Sequence, residues 1–244
     1  MSSFDRVAKV YDATRSLDPN VMSKIVGGVH EFLSDSSLVD FGVGTGRFAA
    51  PLLRLGHEVV GIDISQQMMQ QAKEKGVTGL IIASAEAAPI RSESFDYAMV
   101  VHFMHLLQNW RTAMKEISRI VRKGLVTVVE DIQGSHTRDM YVHLREERGF
   151  PMRGLKLGER DLVKMVEPSL VRTLVEYREE FDPSPLMDEY AAKLHSITWD
   201  VPDEVNMEIV ERMRSRLGEK RELKRSAALV VWDRERLKRF DLST

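Results

Sequence analysis

The run Val39-Asp40-Phe41-Gly42-Val43-Gly44-Thr45-Gly46-Arg47 constrains this chain more than any other segment. A short apolar stretch, Leu38–Phe41, is stopped by Gly42. Two more glycines at alternate positions then lead into Arg47–Leu55, where apolar residues recur at helical spacing. Glycines at such a turn let the backbone bend sharply and approach a ligand closely. The helix start beyond it offers free N–H groups and a positive dipole end. A strand, a glycine turn and a helix in that order open an α/β unit.

The same alternation continues. Glu58–Ile62 reads as a strand ended by Asp63, and Ser65 as the N-cap of a helix over Gln66–Lys75 that stops at Gly76. Leu80–Ala83 is a third strand. Phe95–Val101 is a fourth, read as apolar throughout and so buried on both faces. Asn109–Val121 is a helix with Met114, Ile117 and Val121 on one face, and Leu125–Val129 a fifth strand. Strand–helix alternation at this spacing predicts a doubly wound parallel sheet.

Beyond Asp131 the pattern loosens. Helices are expected at Arg138–Arg148 and Glu159–Val166, and mostly helix over Pro183–Leu217 with a break at Pro202. Strands are expected at Leu170–Glu176 and Ala227–Trp232. Charge changes at the same place: 28 of residues 1–130 are charged against 44 of the 114 residues after them. The expectation is one domain over 1–244. It has a mostly parallel seven-stranded α/β sheet whose core is 30–131 plus late strands near 170–180 and 226–233. A helical lid is expected from 1–28, 135–168 and 183–220, over the strand ends where open α/β sheets bind ligands.

Composition removes several function classes. A net charge of -2 argues against a protein that coats nucleic acid. Zero cysteines exclude disulfides, thiolate metal sites and cysteine nucleophiles, and fit a reducing, cytoplasmic setting. The N-terminal run lacks the apolar stretch of a signal peptide, and no 18-residue apolar run predicts a membrane span. No metal-ligand cluster stands out.

Glycine spacing alone leaves the ligand open. Gly44-x-Gly46-x-x-Ala49 also satisfies the dinucleotide pattern GxGxxG/A, and Asp63 lies 19 residues after Gly44. Three features separate the alternatives. Asp40, two residues before Gly42, would repel a pyrophosphate but attract an ammonium or sulfonium. Ser84-Ala85-Glu86 follows the third strand, and Phe95-Asp96-Tyr97 opens a fourth that ends in His102.

Together these residues resemble class I S-adenosylmethionine-dependent methyltransferases of the small-molecule type. The run Asp40–Gly46 looks like that family's first motif, and Gly61-Ile62-Asp63-Ile64-Ser65 like its second. Ala85-Glu86-Ala87-Ala88-Pro89 with Ser94-Phe95-Asp96 is similar to its "A-E-x-L-P … S-F-D" stretch. The likeness runs from about Phe4 to Asp131. It implies a Rossmann-like fold with S-adenosyl-L-methionine as cofactor. Asp40, Gly42 and Gly44 would line the methionine end, Gly46 would also belong to the cofactor site, Asp63 would hold the ribose, and Ile64 and Met68 would pack on adenine. Ser84, where family members often carry Asp, would share the adenine contact with Ala85 and Glu86. Phe4–Arg15 resembles the "Y-D-x-x-R" entry segment, so Tyr11 would fold over the cofactor and Arg15 approach its carboxylate. Tyr11 and Arg15 are four apart and share one helix face.

The resemblance implies transfer of a methyl group to a small-molecule acceptor by in-line displacement, with His102 as first candidate base and Tyr11 as second. His105 reads as structural. No Asn/Asp-Pro-Pro-Tyr/Phe follows the fourth strand, where Val101-His102-Phe103-Met104 stands, which disfavours nucleobase amino groups as acceptors. Alternatives are an NAD(P)-dependent oxidoreductase and a non-catalytic cofactor-binding module. His195–Trp199 is either substrate-contacting or helix packing. Glu211–Arg225, with seven basic and three acidic residues, is either a solvated face or an anion patch.

Overall fold

The computed structural model describes residues 4–133, 137–152, 157–217 and 220–240. Its N-terminal elements are α1 (Tyr11–Arg15), α2 (Pro19–Leu33), β1 (Leu38–Phe41), α3 (Ala49–Arg54), β2 (Val59–Asp63), α4 (Gln66–Glu74) and β3 (Leu80–Ile82). Next come β4 (Phe95–Val100), α5 (Trp110–Ile120), β5 (Val121–Gln133), α6 (Thr137–Glu147) and α7 (Glu159–Met165). The chain ends through β6 (Leu170–Phe181), α8 (Pro183–Ala191), α9 (Asp203–Arg214), β7 (Arg221–Asp233) and α10 (Arg234–Arg239).

The strands form one seven-stranded sheet in the order β3-β2-β1-β4-β5-β7-β6, the expected doubly wound architecture. β1 pairs in parallel with both β2 and β4, and β2–β3 and β4–β5 are parallel as well. β7 runs against its neighbours. Ser169, just before β6, donates its N–H to the Val231 carbonyl at the far end of β7. Gly124, near the start of β5, lies against the Trp232 carbonyl. Strand order reverses beside β1, so the crevice outside the carboxyl ends of β1 and β4 is the switch point where such sheets take ligands.

Local chemistry accounts for the element ends. Asp18 accepts from the Asn20 and Val21 N–H groups and Pro19 holds the first helical position of α2. Ser65 caps α4 as expected, its hydroxyl accepting from the Met68 N–H at 3.2 Å. Several expected boundaries are corrected. Helix α3 starts at Ala49 rather than Arg47, because the glycine turn extends through Phe48. α5 ends at Ile120, and Val121 opens β5 with no turn between them. β4 is buried on both faces only over Ala98–Val100; Asp96 and Tyr97 are half-buried.

The chain divides into two compact units. One holds residues 1–130, 155–175 and 227–244; the other holds 131–154 and 176–226. Of the segments expected as lid, 1–28 and 155–168 belong to the first unit, and 135–154 and 183–220 to the second. Residues 1–3, 135–136, 153–156 and 218–219 of that expectation lie outside the described residues.

The first unit buries Val39, Phe41, Ala98, Val100, Leu125 and Trp232 against the Ala113–Ile117–Ile120 face of α5. The indole N–H of Trp232 reaches the Val166 carbonyl at 2.8 Å, so its one polar atom is satisfied in the core. The second unit has its own core, built from Tyr141, Leu144, Met187, Tyr190, Ile209 and Met213. Two of its buried polar side chains, Tyr141 and Arg145, are matched. Tyr141 donates to Asn206 Oδ1 at 2.6 Å, and Arg145 bonds the Phe150 and Ile197 carbonyls and Asp200.

Candidate functional site

The glycine turn closes β1 onto β2. The Gly42 and Val43 N–H groups both donate to the Ile62 carbonyl, at 2.8 and 3.0 Å. Gly42, Gly44 and Gly46 have φ of 74°, 53° and 74°, in the left-handed region that L side chains avoid. At Gly42 a side chain is also sterically blocked: a Cβ there would lie 2.2 Å from Cδ2 of the Phe103 ring. At Gly46 the α-carbon faces Ala72 and Val77, so this glycine serves helix packing.

Two carboxylates flank the turn. Asp40, inside β1 and 5% exposed, has its pKa raised to about 8, by burial first and by the neighbouring Asp63 second. Asp63 ends β2. Its Oδ2 accepts the Gly44 N–H at 2.9 Å and its Oδ1 the Ser65 N–H at 2.8 Å. Burial raises its pKa, and the backbone hydrogen bonds from Ser65, Gly44 and Ile64 oppose that shift. An ionised carboxylate has about four acceptor positions, so these three backbone donors do not exhaust it. Ile64 beside it is 63% exposed, while Met68 is buried with its Cε near Gly44.

Residues 4–15 are fastened to this turn by contacts the sequence reading did not include. Asp5 accepts from the Ser65 hydroxyl at 2.6 Å, and Asp12 from the Thr45 hydroxyl at 2.6 Å. Asp12 also pairs with Lys75. Tyr11 packs edge-on to Phe4, and the Arg15 guanidinium lies 4.8 Å from the centre of its ring, as their shared helix face predicts. Burial pushes the Tyr11 phenol up. Ser84 is exposed and accepts the Glu86 N–H, Ala85 is buried, and Glu86 accepts the Asn109 N–H at 3.1 Å.

His102 follows β4 with φ of 53°, a left-handed conformation in a non-glycine residue. Its Nε2 lies 3.3 Å from Glu130 Oε1 on β5, and Arg47 Nη2 lies 3.6 Å from the same oxygen. The loop is held from α7, where Glu159 Oε1 accepts the N–H groups of Phe103 at 2.6 Å and Met104 at 3.1 Å. Arg160 donates to the Glu130 carbonyl. Glu130, Arg47 and Glu159 are not among the site residues expected from the sequence; they come from three separate chain segments. His105 sits on a short 3-10 turn, Met104–Leu106.

Two other segments fall into structural roles in the second unit. Ile197 and Thr198 are buried and the Trp199 indole donates to the Lys193 carbonyl, so that stretch packs. In the basic run, Arg212, Arg214, Lys220 and Arg225 pair with Glu147, Asp188, Glu180 and Glu179. Among the described residues no cluster of three or more His, Cys, Asp or Glu could hold a metal ion, and no helix is long and apolar enough to cross a membrane.

Residues 39–129 match a family model described as a methyltransferase domain. An uncharacterized methyltransferase of Mycobacterium tuberculosis is 26% identical over 201 residues, spanning 80% of this chain and 78% of its own. The malonyl-[acyl-carrier protein] O-methyltransferase of Salmonella typhimurium is 30% identical over 140 residues, about half of each chain at 55% and 54%. The crystal structure of a SAM-dependent methyltransferase from Thermotoga maritima superposes with a TM-score of 0.54 at 19% identity, covering 93% of this chain and 97% of that one. That likeness is one of fold.

Proposed function

We propose that this chain, which carries a class I S-adenosylmethionine-dependent methyltransferase domain, transfers the cofactor's methyl group to a small-molecule acceptor by in-line displacement. When bound, the cofactor supplies an electrophilic methyl on a sulfonium, with a neutral thioether as leaving group. The protein's task is then alignment and exclusion of water.

The observation that carries the reading is the pair of carboxylates on either side of the glycine turn. Asp40 is buried and holds a proton until about pH 8, so a cationic group beside it would discharge the cost of its ionisation. Asp63 keeps acceptor capacity toward the ribose hydroxyls beyond its backbone donors Gly44, Ser65 and Ile64. Gly42 and Gly44 give the turn the left-handed backbone it needs beside the methionine end. Ile64 offers an exposed apolar surface to the adenine, with Met68 packed beneath Gly44, and Ser84, Ala85 and Glu86 form the adenine's polar edge. Tyr11 and Arg15 stand at the cofactor's outer side, tied down through Asp12 and Asp5. Because burial raises the Tyr11 phenol, Tyr11 serves as a hydroxyl donor at neutral pH and His102 as the base. The lack of cysteine and of a nucleobase motif after β4 supports a metabolite-sized acceptor.

Isothermal calorimetry tests this reading. Micromolar binding of S-adenosylmethionine or S-adenosylhomocysteine is expected, with none of NAD(H) or NADP(H); absence of binding by both cofactor forms sinks it.

Asp40 gives the binding a pH signature. With a pKa of about 8, roughly one molecule in ten has Asp40 ionised at pH 7. Only that fraction is poised for a cation, so apparent affinity is expected to rise about tenfold from pH 7 to pH 9 and then level. Binding at pH 7 should release close to one proton, measured by calorimetry in buffers of different ionisation enthalpy. Asp40→Asn should abolish both the release and the pH dependence.

A further inference from the structure

We infer that His102 and Glu130 form a dyad that takes a proton from the acceptor, so that the methylated atom is a heteroatom bearing hydrogen, a hydroxyl or an N–H, and not a carboxylate. The inference rests on the methyltransferase reading above and assigns roles to residues on three strand or loop ends.

His102 is held in a conformation that local energetics oppose. A non-glycine residue in the left-handed region costs about 1–2 kcal/mol. The surroundings enforce it nonetheless: Glu159 grips the next two backbone N–H groups. The Phe103 ring fills the space beside Gly42. The strained backbone is the one that brings the imidazole Nε2 to 3.3 Å from Glu130 Oε1. Strain kept at the mouth of the switch point points to function rather than stability. The ion pair itself does little for the fold, because the His102 side chain is 45% exposed.

An ionised carboxylate only accepts hydrogen bonds. Facing Glu130, Nε2 therefore carries the hydrogen, and Nδ1 is left as the basic nitrogen. Arg47 lies 3.6 Å from the same carboxylate oxygen, and Arg160 bonds the main-chain carbonyl of Glu130, so one guanidinium braces the side chain and another its backbone. Glu130 is thus a positioning residue, acting through His102. In the step, the acceptor's O–H or N–H bond breaks and its proton passes to Nδ1. The electron pair stays on the acceptor atom, which takes the methyl, and the electrons of the broken carbon–sulfur bond remain on sulfur. The positive charge lost at sulfur reappears on the imidazolium, against Glu130, and leaves as a proton through the exposed edge of the ring. A carboxylate acceptor has no proton to give and needs none of this.

Two measurements test the dyad. The first reads ring nitrogens by long-range 1H–15N correlation in the full chain at pH 8, with His102 assigned by its disappearance in His102→Gln. The expected result is Nε2–H with unprotonated Nδ1. Glu130→Ala should give mixed tautomers and Glu130→Asp should restore the preference in part. An Nδ1–H tautomer in the native chain, or an unchanged spectrum in Glu130→Ala, overturns the proposal.

The second follows label from methyl-tritiated S-adenosylmethionine into a size-fractionated extract. Alkali-stable label is expected, with turnover lowered roughly 100-fold or more in His102→Gln. About tenfold loss is expected in Glu130→Ala at unchanged cofactor affinity. Label released as volatile methanol by mild alkali marks a methyl ester and overturns the acceptor assignment. Absence of cofactor binding instead sinks the methyltransferase reading, and the tautomer spectrum still decides the dyad.

Discussion

Asp63→Ala is expected to weaken S-adenosylmethionine binding by at least two orders of magnitude in calorimetry while the chain stays folded. Hydrogen bonds to a charged group contribute about 1.5–3 kcal/mol each. Losing two to the ribose removes roughly 3 kcal/mol or more, a factor of 100 and upward. The substitution also frees the Gly44 and Ser65 N–H groups, which Asp63 holds at 2.9 and 2.8 Å, so the glycine turn loosens at the same time. Asp63→Asn should be little better. Its amide nitrogen would turn donors toward one of those two N–H groups, replacing an attraction by a repulsion. Affinity within tenfold of the native value in Asp63→Ala would refute the ribose assignment.

Gly42→Ala is expected to lower both stability and turnover, and to do so through Phe103. The new Cβ would enter a position 2.2 Å from the Phe103 ring, in a backbone with φ of 74°. The left-handed penalty of about 1–2 kcal/mol adds to a comparable cost of overpacking, for a total near 3 kcal/mol in chemical denaturation. Displacing that ring drags the loop that carries His102, because the Phe103 N–H is fixed to Glu159. Turnover is therefore expected to fall more than 100-fold even where folding survives. The double mutant with Phe103→Ala separates the two effects. It should recover about half of the lost stability, leaving the backbone penalty, and regain little turnover. Strict additivity of the two single changes would show that the ring is not what the methyl meets.

Much of the fold was legible because parallel α/β architecture writes itself locally. Apolar runs stopped by glycine or aspartate, followed by amphipathic helices, mark β1 through α5 within a residue or two of their ends. Misreadings came where tertiary pairing overrides the local pattern. β5 was expected at Leu125–Val129 and spans Val121–Gln133, because Arg122 and Lys123 break the apolar run yet pair with Asp96. β7 was expected at Ala227–Trp232 and begins at Arg221. In its first half only Leu223 is buried, and Arg225 pairs with Glu179. Helix α2 carries a readable start signal in Asp18-Pro19, inside the segment 1–28 expected as lid.

The site divides the same way. Asp40, the three glycines and Asp63 are specified by the sequence alone, because a tight turn between β1 and α3 needs left-handed residues at fixed short spacing. The acids at strand ends then follow within one βαβ unit. The partnership of His102 with Glu130, Arg47 and Glu159 was decided only by the tertiary structure. Those residues are brought together by the order β1-β4-β5 and by a helix that follows β5 in the chain. No local period encodes a meeting of four segments. It arises because crossover connections set parallel strands side by side, so that their carboxyl ends deliver side chains from distant positions to one crevice.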